Sequence, residues 1–255
     1  MLKYRNRNIT LWIRYRTLRR WLLSLCLMFL FAALTVSDIP ASTTWTYWSL
    51  PLAGKVIVLD AGHGGPDGGA VSKEGVIEKD INLAITLYLR DYLQQAGAVV
   101  KLTREDDRDL ADESTKGYSR RKTEDLKRRV RLIEEYNADL FLSIHMNSVP
   151  SSRWSGAQTF YYPSHADNAS LAALIQDEIR RNMENTDRVA KTVDTVYLLQ
   201  ALKMPSALVE IGFLSHPQEA RLLADEAYQR QISAAVYKGI LRYSSGERVT
   251  MPAGK

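Results

Sequence analysis

The chain has 255 residues, 45% of them hydrophobic and 25% charged, enough for one sizeable core and too apolar for a disordered chain. A formal net charge of +5 raises the question of nucleic acid, and its distribution answers it. Seven of the 34 Lys and Arg (Lys3, Arg5, Arg7, Arg14, Arg16, Arg19, Arg20) fall in residues 1–20, which hold no acid; the other 27 bases face 29 acids, and no nucleic-acid partner is expected.

Residues 21–37 are uncharged and dominated by Leu, Phe, Ala and Met. A cationic segment ahead of an apolar run just long enough to span a bilayer fits an uncleaved signal-anchor, with a cleavable signal peptide as the alternative. Either reading makes 1–20 a cytoplasmic basic segment, 21–37 a transmembrane or signal segment and 38–54 a linker. A folded domain over 55–245 and a flexible tail at 246–255 complete the expected organisation. Cys26, the only cysteine, lies inside the apolar run, so no intramolecular disulfide can form.

Beyond Lys55, β-rich apolar runs alternate with segments of helical period, the signature of an α/β fold. A strand at 56–59 leads to a helix whose apolar face is Ile81, Ala84, Ile85, Tyr88, Leu89, Tyr92 and Leu93. Gly97 stops that helix before a strand at 98–103. The next helix carries Leu126, Val130 and Ile133 and precedes strands at 140–145 and 157–162. A helix with Leu171, Leu174, Ile175 and Ile179, a strand at 207–211 and a last helix with Tyr228, Ile232, Ala235, Val236, Ile240 and Tyr243 follow. This order predicts a mostly parallel twisted sheet with right-handed crossovers and helices on both faces. One stretch stands apart: 105–113 holds six acids and one base, and 116–131 holds eight bases and two acids. It is either a solvated face or a charged rim that meets an anionic substrate or a partner protein.

Three features fall at strand or helix ends, where open α/β sheets place their ligands. The first strand runs into Leu59-Asp60-Ala61-Gly62-His63-Gly64-Gly65-Pro66-Asp67-Gly68-Gly69-Ala70, glycine-rich enough to turn tightly around one imidazole. Glu78 opens the first helix, where the helix dipole favours a carboxylate. Ser143-Ile144-His145-Met146-Asn147 closes the third strand. Singly, each is an ordinary structural residue. Together they supply the His, Glu, His set of a catalytic zinc with an open fourth position. No H-E-x-x-H is present, and one cysteine is too few for a deaminase site. Glu210, at the end of the apolar run Ala207-Leu208-Val209, would be costly to half-bury without a partner. Near a metal it has one. A serine nucleophile is not supported, because no G-x-S-x-G occurs.

These motifs, with Glu78-Lys79-Asp80, Leu102-Thr103-Arg104, Phe141-Leu142-Ser143-Ile144-His145-Met146-Asn147 and Leu208-Val209-Glu210-Ile211-Gly212-Phe213-Leu214-Ser215, resemble the zinc-dependent N-acetylmuramoyl-L-alanine amidases (the Amidase_3 group) over about residues 54–244. The overall layout, including Trp48-Ser49-Leu50-Pro51-Leu52, Lys116-Gly117-Tyr118-Ser119-Arg120-Arg121 and Trp154-Ser155-Gly156-Ala157-Gln158, is most similar to the germination-specific members from endospore formers. The resemblance implies hydrolysis of the amide between the muramic acid lactyl group and L-alanine of peptidoglycan, on the outer side of the membrane and in spore cortex maturation. It assigns Zn2+ to His63, Glu78 and His145 and the catalytic carboxylate to Glu210. Arg104 and Asn147 are candidates for orienting substrate or intermediate, with pairing to a neighbouring acid as the alternative for Arg104. Ala61 and His216 depart from the usual proline and asparagine, at no ligand position. An accessory protein is a further candidate partner. Two rivals remain: a catalytically silent wall-binding or regulatory protein, and another zinc amidohydrolase.

Overall fold

The computed structural model describes residues 15–36 and 50–249, and the chain divides into one unit up to residue 49 and another from Leu50 on. In the first unit, α1 (Tyr15–Val36) contains most of the span expected at 21–37. Among the described residues no helix is long and apolar enough to cross a membrane. Arg16, Arg19 and Arg20 occupy the first two turns of α1. The remaining parts of the basic segment, linker and tail, at 1–14, 37–49 and 250–255, lie outside the described residues.

The second unit is built on β1 (Val56–Ala61), α2 (Glu78–Gln95), β2 (Val99–Leu102), α3 (Tyr118–Glu135), β3 (Leu140–Asn147), β4 (Gln158–Tyr161) and α4 (Asn168–Met183). It continues with β5 (Lys191–Thr192), α5 (Tyr197–Ala201), β6 (Ser206–Phe213), α6 (Pro217–Leu223) and α7 (Glu226–Ser244). The six strands form one sheet in the order β2-β1-β3-β6-β4-β5. β2, β1, β3 and β6 are mutually parallel, as the alternation of strands and helices predicts. β4 runs antiparallel to β6 and parallel to β5. The reversal follows from the connection. Residues 148–157 join β3 to β4 without a helix, so β4 starts at the edge where β3 finished; a parallel return needs a crossover of a dozen or more residues. The two-residue β5 and the short α5 and α6 carry too little pattern to stand out in the sequence.

Two apolar layers flank the sheet. The larger includes Ile85, Leu89 and Leu93 of α2, Leu171, Leu174, Ile175 and Ile179 of α4, and Ile232, Val236 and Ile240 of α7. The smaller joins Val58, Phe141 and Leu208 to Val130 and Ile133 of α3 and Leu198 and Leu199 of α5. Because side chains alternate across a strand, Asp60, Ser143, His145 and Glu210 share the face of Val58, Phe141 and Leu208. The polar side chains therefore collect at the carboxyl ends of three parallel strands, on the more thinly covered face.

Candidate functional site

His145 of β3 and Glu210 of β6 are Cα partners across two adjacent parallel strands. Both line a cleft of about 280 Å³ with His63, Asp67, Lys122, Leu126, Tyr197 and Leu198. Glu78 enters from the other side of the sheet as the first residue of α2. Its carboxylate accepts from the backbone N–H of Ala70 (2.8 Å) and of Met146 (3.0 Å), which fixes it over the strand ends. Oε1 then lies 3.1 Å from both His63 Nε2 and His145 Nδ1.

One donor atom each from His63, Glu78 and His145 falls within 4.8 Å of the others. Two imidazoles and a carboxylate are the donor set of a catalytic zinc. Charge and space agree with a cation. Burial disfavours a charged imidazole, yet Asp67 and Glu78 hold the pKa of His63 up at about 9, so the position draws positive charge. Glu78 and Asp67 are themselves held well below the usual carboxylate range against the opposing effect of burial, by the two histidines and by His63 with Tyr118, respectively. Gly69, at φ 69°, leaves the approach open: a Cβ there would stand 2.5 Å from Glu78 Oε2 and 2.8 Å from the His63 ring.

Glu210 differs from Glu78 in having no partner. Its Oε2 is buried without a hydrogen bond, and burial pushes its pKa up to about 7, against the pull of His145. A carboxyl group with that affinity can both accept and return a proton near neutral pH.

The loop carrying His63 is held from two sides by arginines that are 1% and 2% exposed. Arg104 donates to the carbonyl oxygens of Ala61 (2.9 Å), Gly62 (3.1 Å), Lys79 (2.8 Å) and Asp106 (3.0 Å). All four partners are backbone carbonyl oxygens inside the protein, the arrangement of a residue that holds the loop. Arg129 donates to the carbonyls of Ala61 (3.0 Å) and His63 (2.7 Å), to Asp60 Oδ1 (2.6 Å) and to Asp125 Oδ2 (2.9 Å). Thr103 and Ser143 hydroxyls donate to Asp60 at 2.6 and 2.7 Å. Asn82, buried on α2, adds a bond to the Gly62 carbonyl at 3.2 Å. Three successive carbonyls, 61 to 63, are thus tied down, and His63 is kept at φ 64°, an uncommon conformation for a residue with a side chain.

His63 Nδ1 lies 2.9 Å from Asp67 Oδ2, an ion-pair contact not aligned as a hydrogen bond. Asp67 also takes Tyr118 Oη (2.8 Å) and Lys122 Nζ (3.0 Å) from α3. Asn147, the other substrate-binding candidate, ends β3 opposite Phe213. The charge-segregated stretch largely neutralises itself or its neighbours: Asp107 with Lys79, Asp109 with Arg121, and Asp112 with Arg128. Asp60, Asp67, Asn82 and Arg129 were not singled out for roles in the sequence. A signal for Arg129 was present, since it falls within the stripe Leu126, Val130, Ile133 at helical spacing.

Residues 57–242 match the family model described as N-acetylmuramoyl-L-alanine amidase. The chain belongs to the N-acetylmuramoyl-L-alanine amidase family. It is 56% identical over 200 residues to the germination-specific N-acetylmuramoyl-L-alanine amidase of Bacillus subtilis, covering 78% of this chain and 84% of the relative. Among solved structures, the CwlD amidase from Clostridioides difficile in complex with the GerS lipoprotein superposes with a TM-score of 0.74 at 45% identity, covering 76% of this chain and all of that one. The catalytic domain of the amidase CwlV from Bacillus (Paenibacillus) polymyxa gives 0.63 at 34% identity, over 76% of this chain and 99% of that one. The amidase therefore acts on peptidoglycan.

Proposed function

We propose that the protein is a zinc amidase of germination, releasing stem peptides by cutting the amide between the muramic acid lactyl group and L-alanine. The observation that carries this reading is the pairing of a three-donor cluster with Glu210, a half-buried residue one strand away from His145 whose Oε2 is buried without a hydrogen bond. His63, Glu78 and His145 hold the ion, which when bound supplies Lewis acidity to the scissile carbonyl and to water. Glu210 takes the proton of the attacking water and returns it to the departing alanine nitrogen. Asp67 balances charge on His63, while Arg104, Arg129 and Asp60 hold the His63 loop in place.

The resemblance to the germination-specific relative supports a role in spore cortex maturation, through peptide-free muramic acid that goes on to form muramic-δ-lactam. The catalytic part, 55–245, works outside the cytoplasm, and the cation-then-apolar order of 1–37 supports export with retention at the membrane. The GerS complex of the Clostridioides difficile amidase supports an accessory lipoprotein as a partner here too.

Mass spectrometry of peptidoglycan incubated with the purified protein and zinc tests the activity. Intact stem peptides with a free L-alanine amine are expected. Deacetylated glycan with peptides still attached would assign another amidohydrolase reaction, and an unchanged digest would leave a binding or regulatory role.

A further inference from the structure

Between β3 and β4 the chain presents Trp154, 52% exposed, on a loop whose position is fixed from beneath. Glu219 of α6, only 4% exposed, accepts from the N–H of Gly156 at 2.9 and 3.1 Å and from the N–H of Phe213 at 2.8 Å. One buried carboxylate thus pins the indole-bearing loop to the end of the strand that carries Glu210. Gly156, at φ 88°, allows the close fit, because a Cβ would stand 2.7 Å from the Asn185 carbonyl oxygen. The guanidinium of Arg188 lies 5.6 Å from the Trp154 ring centroid and 5.3 Å from that of Phe213. It also reaches Gln158 Oε1 at 3.4 Å, and Gln158 is the Cα partner of Glu210 across the antiparallel β4-β6 pair. Gln158 thus lies on the strand next to Glu210, with Arg188 beside both it and the exposed indole.

We infer that Trp154 and Arg188 form a subsite for the glycan strand, resting on the amidase reading above and specifying which part of the substrate lies on this side of the site. The scissile bond joins a sugar to a peptide, so the site has to accommodate an N-acetylated pyranose on one side. A pyranose offers a face of C–H groups to the electron-rich face of an indole, and its acetamido and carboxyl oxygens are acceptors for a guanidinium. Arg188 is suited to give such bonds. Its contacts to Ser155 O, at 3.3 and 3.4 Å, and to Gln158 are long, in contrast to the 2.6 to 3.1 Å bonds of Arg104 and Arg129. The backbone two residues beyond Trp154 is fixed by Glu219, which lowers the ordering the loop needs on binding.

The test is calorimetric titration of the full-length, zinc-loaded protein with a peptide-free tetrasaccharide of alternating N-acetylglucosamine and N-acetylmuramic acid. Binding does not depend on hydrolysis and is read separately from it. Trp154→Ala should weaken binding about tenfold or more, as truncation of an aromatic anchor does, while Trp154→Phe retains most of it. Arg188→Ala should weaken it too, and on cell wall both alanine variants should lose efficiency in KM rather than kcat. Tetrasaccharide binding equal in parent and Trp154→Ala, or absent from the parent, would overturn the subsite. Release of stem peptides by the parent in the same preparation would then leave the amidase assignment intact.

Discussion

Arg129 Nη2 donates to the carbonyl oxygen of His63 at 2.7 Å while its Nη1 holds Asp60 at 2.6 Å. A residue of the basic run in α3 thereby sets the backbone of a metal-ligand candidate 66 positions earlier. Arg129→Lys keeps a charge beside Asp60 and Asp125 but cannot reach both carbonyls, since an ammonium lacks the fork geometry. Zinc affinity should fall about 10- to 100-fold, the usual cost of disturbing the groups around metal ligands. Competition with a chromogenic chelator measures the loss, and the visible spectrum of the cobalt-substituted protein should shift. A variant with reduced thermal stability but the parental affinity and spectrum would reduce Arg129 to a packing role.

The ligand and carboxylate roles separate by substitution. His63→Ala should bind zinc poorly and lose activity with it. Glu210→Gln should retain near-stoichiometric zinc by atomic absorption and lose about 100-fold or more in kcat, the range expected for a general acid–base group. Stem peptides released by Glu210→Gln at the parental rate would remove Glu210 from the chemistry.

Acid stability reports on Asp60. Burial alone would raise its pKa, but Arg129 and the Thr103 and Ser143 hydroxyls bring it from 3.8 down to about 2. A depressed carboxylate stabilises the fold above its unfolded-state pKa, and that stabilisation fades as pH falls from about 4 through 2. The shift corresponds to about 2 kcal/mol. Urea midpoints should therefore show the parent more stable than Asp60→Asn at pH 7, with the gap closing towards pH 2. Parallel curves across that range would show that Asp60 titrates as it does in the unfolded chain.

Chelation should abolish activity without unfolding the domain. Glu78 is held by the Ala70 and Met146 amides, and Asn82 and the two buried arginines secure the loop, so no part of this scaffold is made by the ion. Far-UV circular dichroism should be unchanged after treatment with a chelator, and added zinc should restore hydrolysis. Loss of the helical signal would make the site a folding determinant.

The charged stretch divides by exposure. Arg121 gives two bonds to Asp109 and two to the carbonyls of Asp112 and Thr115, so Arg121→Ala should open 105–117 to proteolysis. Alanine at the exposed Arg120, Lys127 and Arg131 should leave proteolysis and turnover as they are. A fall in turnover on their replacement would point to a substrate or partner rim.

The four strands that make the parallel core are legible because each is an apolar run stopped by turn residues or a charged segment, and the helices between them keep a clear period. Direction is another matter. The composition of 157–162 is the same whichever way the strand runs, and only the helix-free connection from β3 reverses it. His63, Glu78, His145 and Glu210 stand out in the sequence because each follows or interrupts an apolar run with a residue type that costs free energy to bury without a partner. The bonds of Arg104 are not legible in the sequence, because its partners are carbonyl oxygens, which a sequence does not display. Arg129 was hidden in a run of bases that resembles a solvated face. Its partner Asp60 is 69 residues away, and only the topology brings the two together.

His145 and Glu210 face each other across two hydrogen-bonded strands, so their separation is set by the spacing of the sheet, about 4.8 Å between neighbouring strands. Nothing in that spacing depends on the loops above it. A change in the length of segments such as 148–157 would leave His145 and Glu210 in register. A designer could therefore exchange loops along this edge without moving His145 relative to Glu210.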